Sequence, residues 1–216
     1  MEQLDHLFHW LRSGYQGCDL PAQKGIAMRR MLFLLFVSFS AVAQAHPLVD
    51  AAERGDLAAV RCLVESGVPV DSKNEFGETA LKEACDEGYP AIADYLLKNG
   101  ADVNEVDDKG ENVFHEAIEE FLGQGKDYTH RRASGTPDNK GVLEIILKQP
   151  RLDLNTPDVY GRTPLMRFAA ANNAEYVSRL LALGASPGEV DRAGRTAMER
   201  TTDPTIQKLL KARGGM

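Results

Sequence analysis

From His46 onward, apolar residues recur in two superimposed rhythms. Within short windows they fall at i, i+3 and i+4, as in Val60/Leu63/Val64, Ala93/Leu96/Leu97, Leu143/Ile146/Leu147 and Val177/Leu180/Leu181. That spacing predicts one buried stripe on each of four short helices. The longer rhythm repeats the whole arrangement. Gly77-Glu78-Thr79-Ala80-Leu81, Gly110-Glu111-Asn112-Val113-Phe114, Gly161-Arg162-Thr163-Pro164-Leu165 and Gly194-Arg195-Thr196-Ala197-Met198 place equivalent glycines 33, 51 and 33 residues apart. The middle interval is one period of 33 with an insertion of 18. A third series, Gly67, Gly100-Ala101-Asp102-Val103-Asn104 and Gly184-Ala185, closes each unit. A fixed period of this length signals stacked repeats, in which each unit buries its stripe against its neighbours.

Local chemistry sets the ends of the helices. Thr79, Thr163 and Thr196 stand where a helix N-cap is needed, and Pro164 suits the first turn, where no amide hydrogen is required. Thr196 and Glu199 have the spacing of a capping box. Gly67, Gly100 and Gly184 follow the stripes and suit left-handed C-caps. Neither helix of a unit is long enough to be stable alone, so stacking must hold the fold. The expected units are 46–74, 75–107, 108–157, 158–190 and a shortened fifth at 191–210, with a tail at 211–216. The insertion, near 123–141, is polar, turn-rich and locally basic, so it is expected to be a loop between the two helices of the third unit.

These residues resemble the ankyrin repeat family, whose pattern runs D-x-x-G-x-T-P-L-H-x-A-A and then V-x-x-L-L-x-x-G-A-x-x-N. The match is strongest from Asp158 to Ala185, including Thr163-Pro164-Leu165 and Ala169-Ala170. The resemblance covers His46 to about Leu210. It implies an all-α solenoid of helix-turn-helix units with β-hairpin fingers, and a non-enzymatic module that binds another protein. In that family the concave face is built from finger tips and first helices. Carried over by repeat position, Phe76, Lys109, Tyr160 and Arg192 are the candidate tip contacts, and Lys82, Glu83, Glu116, Met166 and Arg167 extend the surface. Phe76 and Tyr160 are the expected anchors, since aromatic side chains are favoured at interfaces. Asn74, Asp107, Asp158 and Asp191 are expected to shape the finger turns. The family's helix-start His corresponds to His115, with an expected role in hydrogen bonding between neighbouring units.

The region before the repeats changes the picture of where the protein works. Arg29-Arg30 precede an apolar run from Met31 to Ala43, and the run leads into Ala43-Gln44-Ala45. This is the grammar of a secretory signal. The run has 13 residues, whereas a bilayer-spanning helix needs about 20. Residues 28–45 are therefore expected to be a signal peptide that meets the membrane only transiently. Residues 1–27 are expected to be an over-extended N-terminus. Aligning one period back from Thr79-Ala80-Leu81 gives His46-Pro47-Leu48, so cleavage after Ala45 would fall at the start of the first helix. The expected location is periplasmic or secreted.

Charge narrows the partner. The formal net charge is −7, and removing residues 1–45 leaves it at −8. An acidic surface argues against nucleic acid, whose affinity rests on Lys and Arg neutralising phosphates. It suits a basic protein partner. The three cysteines, Cys18, Cys62 and Cys85, form no metal-binding pattern. A Cys62–Cys85 bridge in an oxidising compartment is weighed against two half-buried thiols, and the thiols are favoured.

Other chemistry gives little. Asp107-Asp108 and Glu116, Glu119 and Glu120 lack a nucleophile beside them and read as a solvated acidic face rather than an acid–base pair. Arg131-Arg132-Ala133-Ser134 has the look of a kinase target but reads as a solvated basic loop. No phosphate-binding glycine loop or nucleophile elbow is present. No catalytic residue, metal site or cofactor is expected. Two competing readings are a small-molecule or metal-responsive periplasmic module using His46 or the insertion, and a signal-anchored structural protein.

Overall fold

The helical stripes and caps build the elements in the predicted order. The computed structural model describes residues 46–124 and 137–214. The expected signal segment, Cys18 and the Arg131-Arg132-Ala133-Ser134 run lie outside the described residues. The first unit comprises α1 (Pro47–Glu53) and α2 (Leu57–Glu65), and the second α3 (Ala80–Asp86) and α4 (Pro90–Lys98). The third comprises α5 (Val113–Phe121) and α6 (Asn139–Ile146), and the fourth α7 (Pro164–Ala170) and α8 (Ala174–Leu183). A 3-10 turn (Met198–Arg200) and α9 (Pro204–Gly214) finish the chain. Among the described residues no helix is long and apolar enough to cross a membrane.

The caps behave as their residue types require. Thr79 Oγ1 accepts from Lys82 N–H at 3.3 Å and Thr163 Oγ1 from Met166 N–H at 3.4 Å. Asn112 does the same work with its amide oxygen, accepting from Phe114 and His115 N–H. Gly67, Gly100 and Gly184 adopt φ of 98°, 92° and 103°, the left-handed conformation that a side chain would disfavour. Two expectations are corrected. Thr196 does not cap an α-helix: its N–H and Oγ1 both donate to Glu199 at 2.8 and 3.0 Å, but only a 3-10 turn follows. Pro204 starts the next helix and leaves too few residues for a full one. The insertion also ends earlier than expected, because Asp138 accepts from Gly141 N–H at 2.7 Å and caps α6, which takes in Asn139–Gly141.

First helices stack in one layer and second helices in another, and the stripes merge into one continuous core from Leu48 to Leu210. Alanines at the first-helix contacts of the first three units (Ala51, Ala80, Ala84, Ala117) let the backbones approach closely. A seam of side-chain hydrogen bonds runs along the loops that follow the second helices. Asp71 Oδ1 accepts from Asp102 N–H at 3.1 Å, Asn104 Oδ1 from Asp153 N–H at 2.8 Å, and Asn155 Oδ1 from Ser186 N–H at 2.8 Å. These three residues follow the repeat register. Cys85 is a free, fully buried thiol, so the Cys62–Cys85 bridge is not formed, but Cys62 is not the free thiol expected, because it is disulfide-bonded. Burial and nearby carboxylates push the Cys85 thiol's pKa up, which makes it inert.

Candidate protein-binding face

Each finger is wired by its own leading residue. Asn74 Oδ1 accepts from Phe76 and Glu78 N–H, and Asp107 Oδ1 from Lys109 and Glu111 N–H. Asp158 Oδ1 accepts from Tyr160 and Arg162 N–H, and Asp191 Oδ1 from Ala193 and Arg195 N–H. One oxygen thus satisfies two turn amides without help from the tip side chains. At the tips Phe76 and Tyr160 are each 62% exposed, and Lys109 and Arg192 are exposed as well. The Arg162 guanidinium lies 4.7 Å from the centre of the Tyr160 ring, on its own finger. Large apolar side chains held out in water by a rigid turn are natural contact points.

The first-helix candidates divide. Glu83 and Glu116 are half-buried on the face of α3 and α5. Lys82, Met166 and Arg167 are only 5%, 1% and 5% exposed, so they do not extend the surface. Lys82 reaches the next unit, where its ammonium lies 2.5 Å from Asp107 and 3.2 Å from Glu116. Burial works against its charge, but Glu116 and Asp107 outweigh burial and raise its pKa. Arg167 lies 3.3 Å from Glu119 and 3.2 Å from Gln124. Met166 fills the core. Repeat position alone did not separate these roles: Lys82 and Met166 share one position, and Arg167 shares the next with the half-buried Glu83 and Glu116.

The first-helix carboxylates form a ladder that the sequence reading placed in solvent. The columns Asp50–Glu83–Glu116 and Glu53–Asp86–Glu119 each step by 33 residues, so the signal was legible in the repeat register. They are not simply solvated. Asp107 and Glu120 are buried, and Asp86, Glu116 and Glu120 bring carboxylate oxygens within 4.8 Å of one another. Burial, followed by Glu78, Asp86 and Glu53, pushes the Glu83 pKa up to about 9. The result is a crowded carboxyl face beside exposed aromatic tips, on which Glu83 keeps its proton at neutral pH while Glu116 and Glu119 pair with Lys82 and Arg167.

His115 belongs to the scaffold. Its Nδ1 accepts from Asn112 N–H at 3.4 Å and closes a capping box. That leaves the proton on Nε2, which donates to Thr156 C=O at 3.0 Å, where the chain leads into the fourth finger. Burial lowers its pKa to about 4, with Asp158 opposing and Arg167 adding to the effect. An unfolded His titrates near 6.5 and binds the proton that the folded one refuses. Stability from neutral His115 is therefore full above about pH 6.5 and is lost as pH falls towards 4, by about 3 kcal/mol at most. His115→Gln keeps a side chain suited to the box but cannot titrate. Urea unfolding at pH 7 and pH 4.5 should show a smaller acid loss in the variant. Equal losses in both proteins would remove His115 as the cause.

Comparison with known proteins agrees with the geometry. No curated protein matches the chain. A family model described as ankyrin repeats in three copies matches residues 33–127, and the single ankyrin repeat model matches residues 160–192. Together they span more than half of the chain. The chain belongs to the ankyrin repeat family and is, in the general sense of that family, a protein–protein interaction module.

Proposed function

We propose that this protein is an exported, periplasmic or secreted, non-enzymatic adaptor or inhibitor that binds a protein through its finger tips and the adjoining first-helix face. The observation that carries the reading is the pair of aromatic side chains, Phe76 and Tyr160, each 62% exposed on a turn that its own Asn74 or Asp158 holds rigid. Rigid aromatics lose little conformational freedom on binding and are frequent anchors. The net charge of −7 favours a partner face carrying Lys and Arg. Export rests on Arg29-Arg30, the apolar run and Ala43-Gln44-Ala45, together with the repeat register that reaches back to His46.

The test is affinity capture of tagged chain expressed from Met28, with N-terminal sequencing of the purified protein. A start at His46 supports export, whereas an uncleaved chain recovered from the cytoplasm overturns it. A captured protein whose affinity falls about thirtyfold or more on Phe76→Ala with Tyr160→Ala supports the finger face. A partner indifferent to both substitutions places the contact elsewhere and leaves the fold untouched.

A further inference from the structure

The fingers are not evenly coupled along the stack. Asp108 N–H donates to Phe76 C=O between the second and third fingers, and Arg192 N–H donates to Tyr160 C=O between the fourth and fifth. The equivalent bond from Val159 N–H to Lys109 C=O, between the third and fourth, is not made. The glycines report the same gap. A Cβ added at Gly77 would lie 2.9 Å from Asp108 N, and one at Gly161 would lie 2.9 Å from Arg192 N. At Gly110 it would meet nothing within 4 Å. The third and fourth fingers therefore stand apart, while the pairs on either side touch.

A packing difference accounts for the gap. The first helices of units one to three meet through alanines. At the next junction the rings of Phe121, Phe168 and Tyr176 take that place, with Phe168 and Tyr176 stacked at 4.8 Å. The first helices there lie farther apart than at the earlier junctions. The ties across the junction are made by side chains. Arg179 and the Tyr176 hydroxyl both hold Glu144, at 2.5 and 3.0 Å, on the second-helix side. On the first-helix side Arg167 holds Glu119 at a longer 3.3 Å. The shortest of these side-chain ties lies at the second helices, and the fingers stand open.

We propose that the junction between the third and fourth units is a hinge, about which units four and five tilt as one block against units one to three. The pivot is the Glu144–Arg179–Tyr176 contact, and the tilt varies the spacing between Lys109 and Tyr160. Solenoid stability is a sum of unit and junction contributions, so a soft junction divides the stack into separately opening blocks.

Amide hydrogen exchange on the whole chain tests this without mutation. The α7, α8 and α9 amides are expected to share one opening equilibrium, distinct from the one shared by α3 to α5, with the boundary between α6 and α7. The Val159 amide should exchange freely, and the Asp108 and Arg192 amides should be protected. Arg167→Met should speed exchange about tenfold in α7 to α9 and leave α1 to α4 unchanged. The hinge is overturned by a boundary at another junction, by protection that declines smoothly towards the C-terminus, or by a Val159 amide as protected as Asp108.

Discussion

Lys82→Ala is expected to destabilise the protein by about 3–5 kcal/mol, the range for removing one partner of a buried ion pair. The Lys82 side chain is 7% exposed and that of Asp107 is 1% exposed, so water cannot replace the lost ammonium. Asp107 would keep its turn amides, since Oδ1 accepts from Lys109 and Glu111 N–H. Its Oδ2 would be left as a buried charge without a cation, and Glu116 would lose the same partner. The effect should spread across the second and third units, because Lys82 joins α3 to the third finger and to α5. Urea unfolding followed by circular dichroism measures the loss. A double-mutant cycle with Asp107→Asn should return a coupling of roughly 1–3 kcal/mol. A Lys82→Ala loss below about 1 kcal/mol would mean that the pair is solvated and that the buried geometry is wrong.

The second large effect is expected from Phe168→Ala, at about 3–5 kcal/mol for a fully buried ring. Phe168 is completely buried and stacks on Tyr176 at 4.8 Å, with Phe121 at 6.2 Å. Truncation removes the ring and leaves a cavity between two units whose backbones are already held apart. Collapse into that space would require α7 to shift against Glu119 and Gln124, which hold its Arg167. Phe168→Leu retains most of the volume and should lose clearly less. The comparison is made by denaturant unfolding of both variants. Equal losses for Leu and Ala would show that the stacked ring, rather than filled volume, sets the stability of this junction.

Much of the fold was legible because a repeat sequence states the same instruction several times. Thr79, Asn112 and Thr163 each cap a first helix, and the glycines after the stripes adopt the conformation expected of them. The short fifth unit was misjudged at Thr196, where the capping pattern is present but Pro204 limits what can follow. The binding face was legible at Phe76 and Tyr160, since a finger tip has little else to pack against. It was not legible at Lys82 and Arg167. Lys82 and Arg167 hold successive positions of the first helix, and a charged residue at either suits solvent or a carboxylate of a neighbouring unit equally well; only the placement of Asp107, Glu116 and Glu119 decides between them. The hinge also escaped the sequence reading. Its cause, rings in place of alanines, is a matter of side-chain size rather than of pattern.

The self-wired fingers carry an evolutionary consequence. Because Asn74, Asp107, Asp158 and Asp191 supply the turn bonds from the leading position, the residues at the tips carry almost no folding duty. Phe76, Lys109, Tyr160 and Ala193 occupy the same place in successive fingers, and they comprise two aromatic residues, one basic and one small. Selection can therefore rewrite them one at a time, and a lineage could exchange one target for another while its scaffold stays as stable as before.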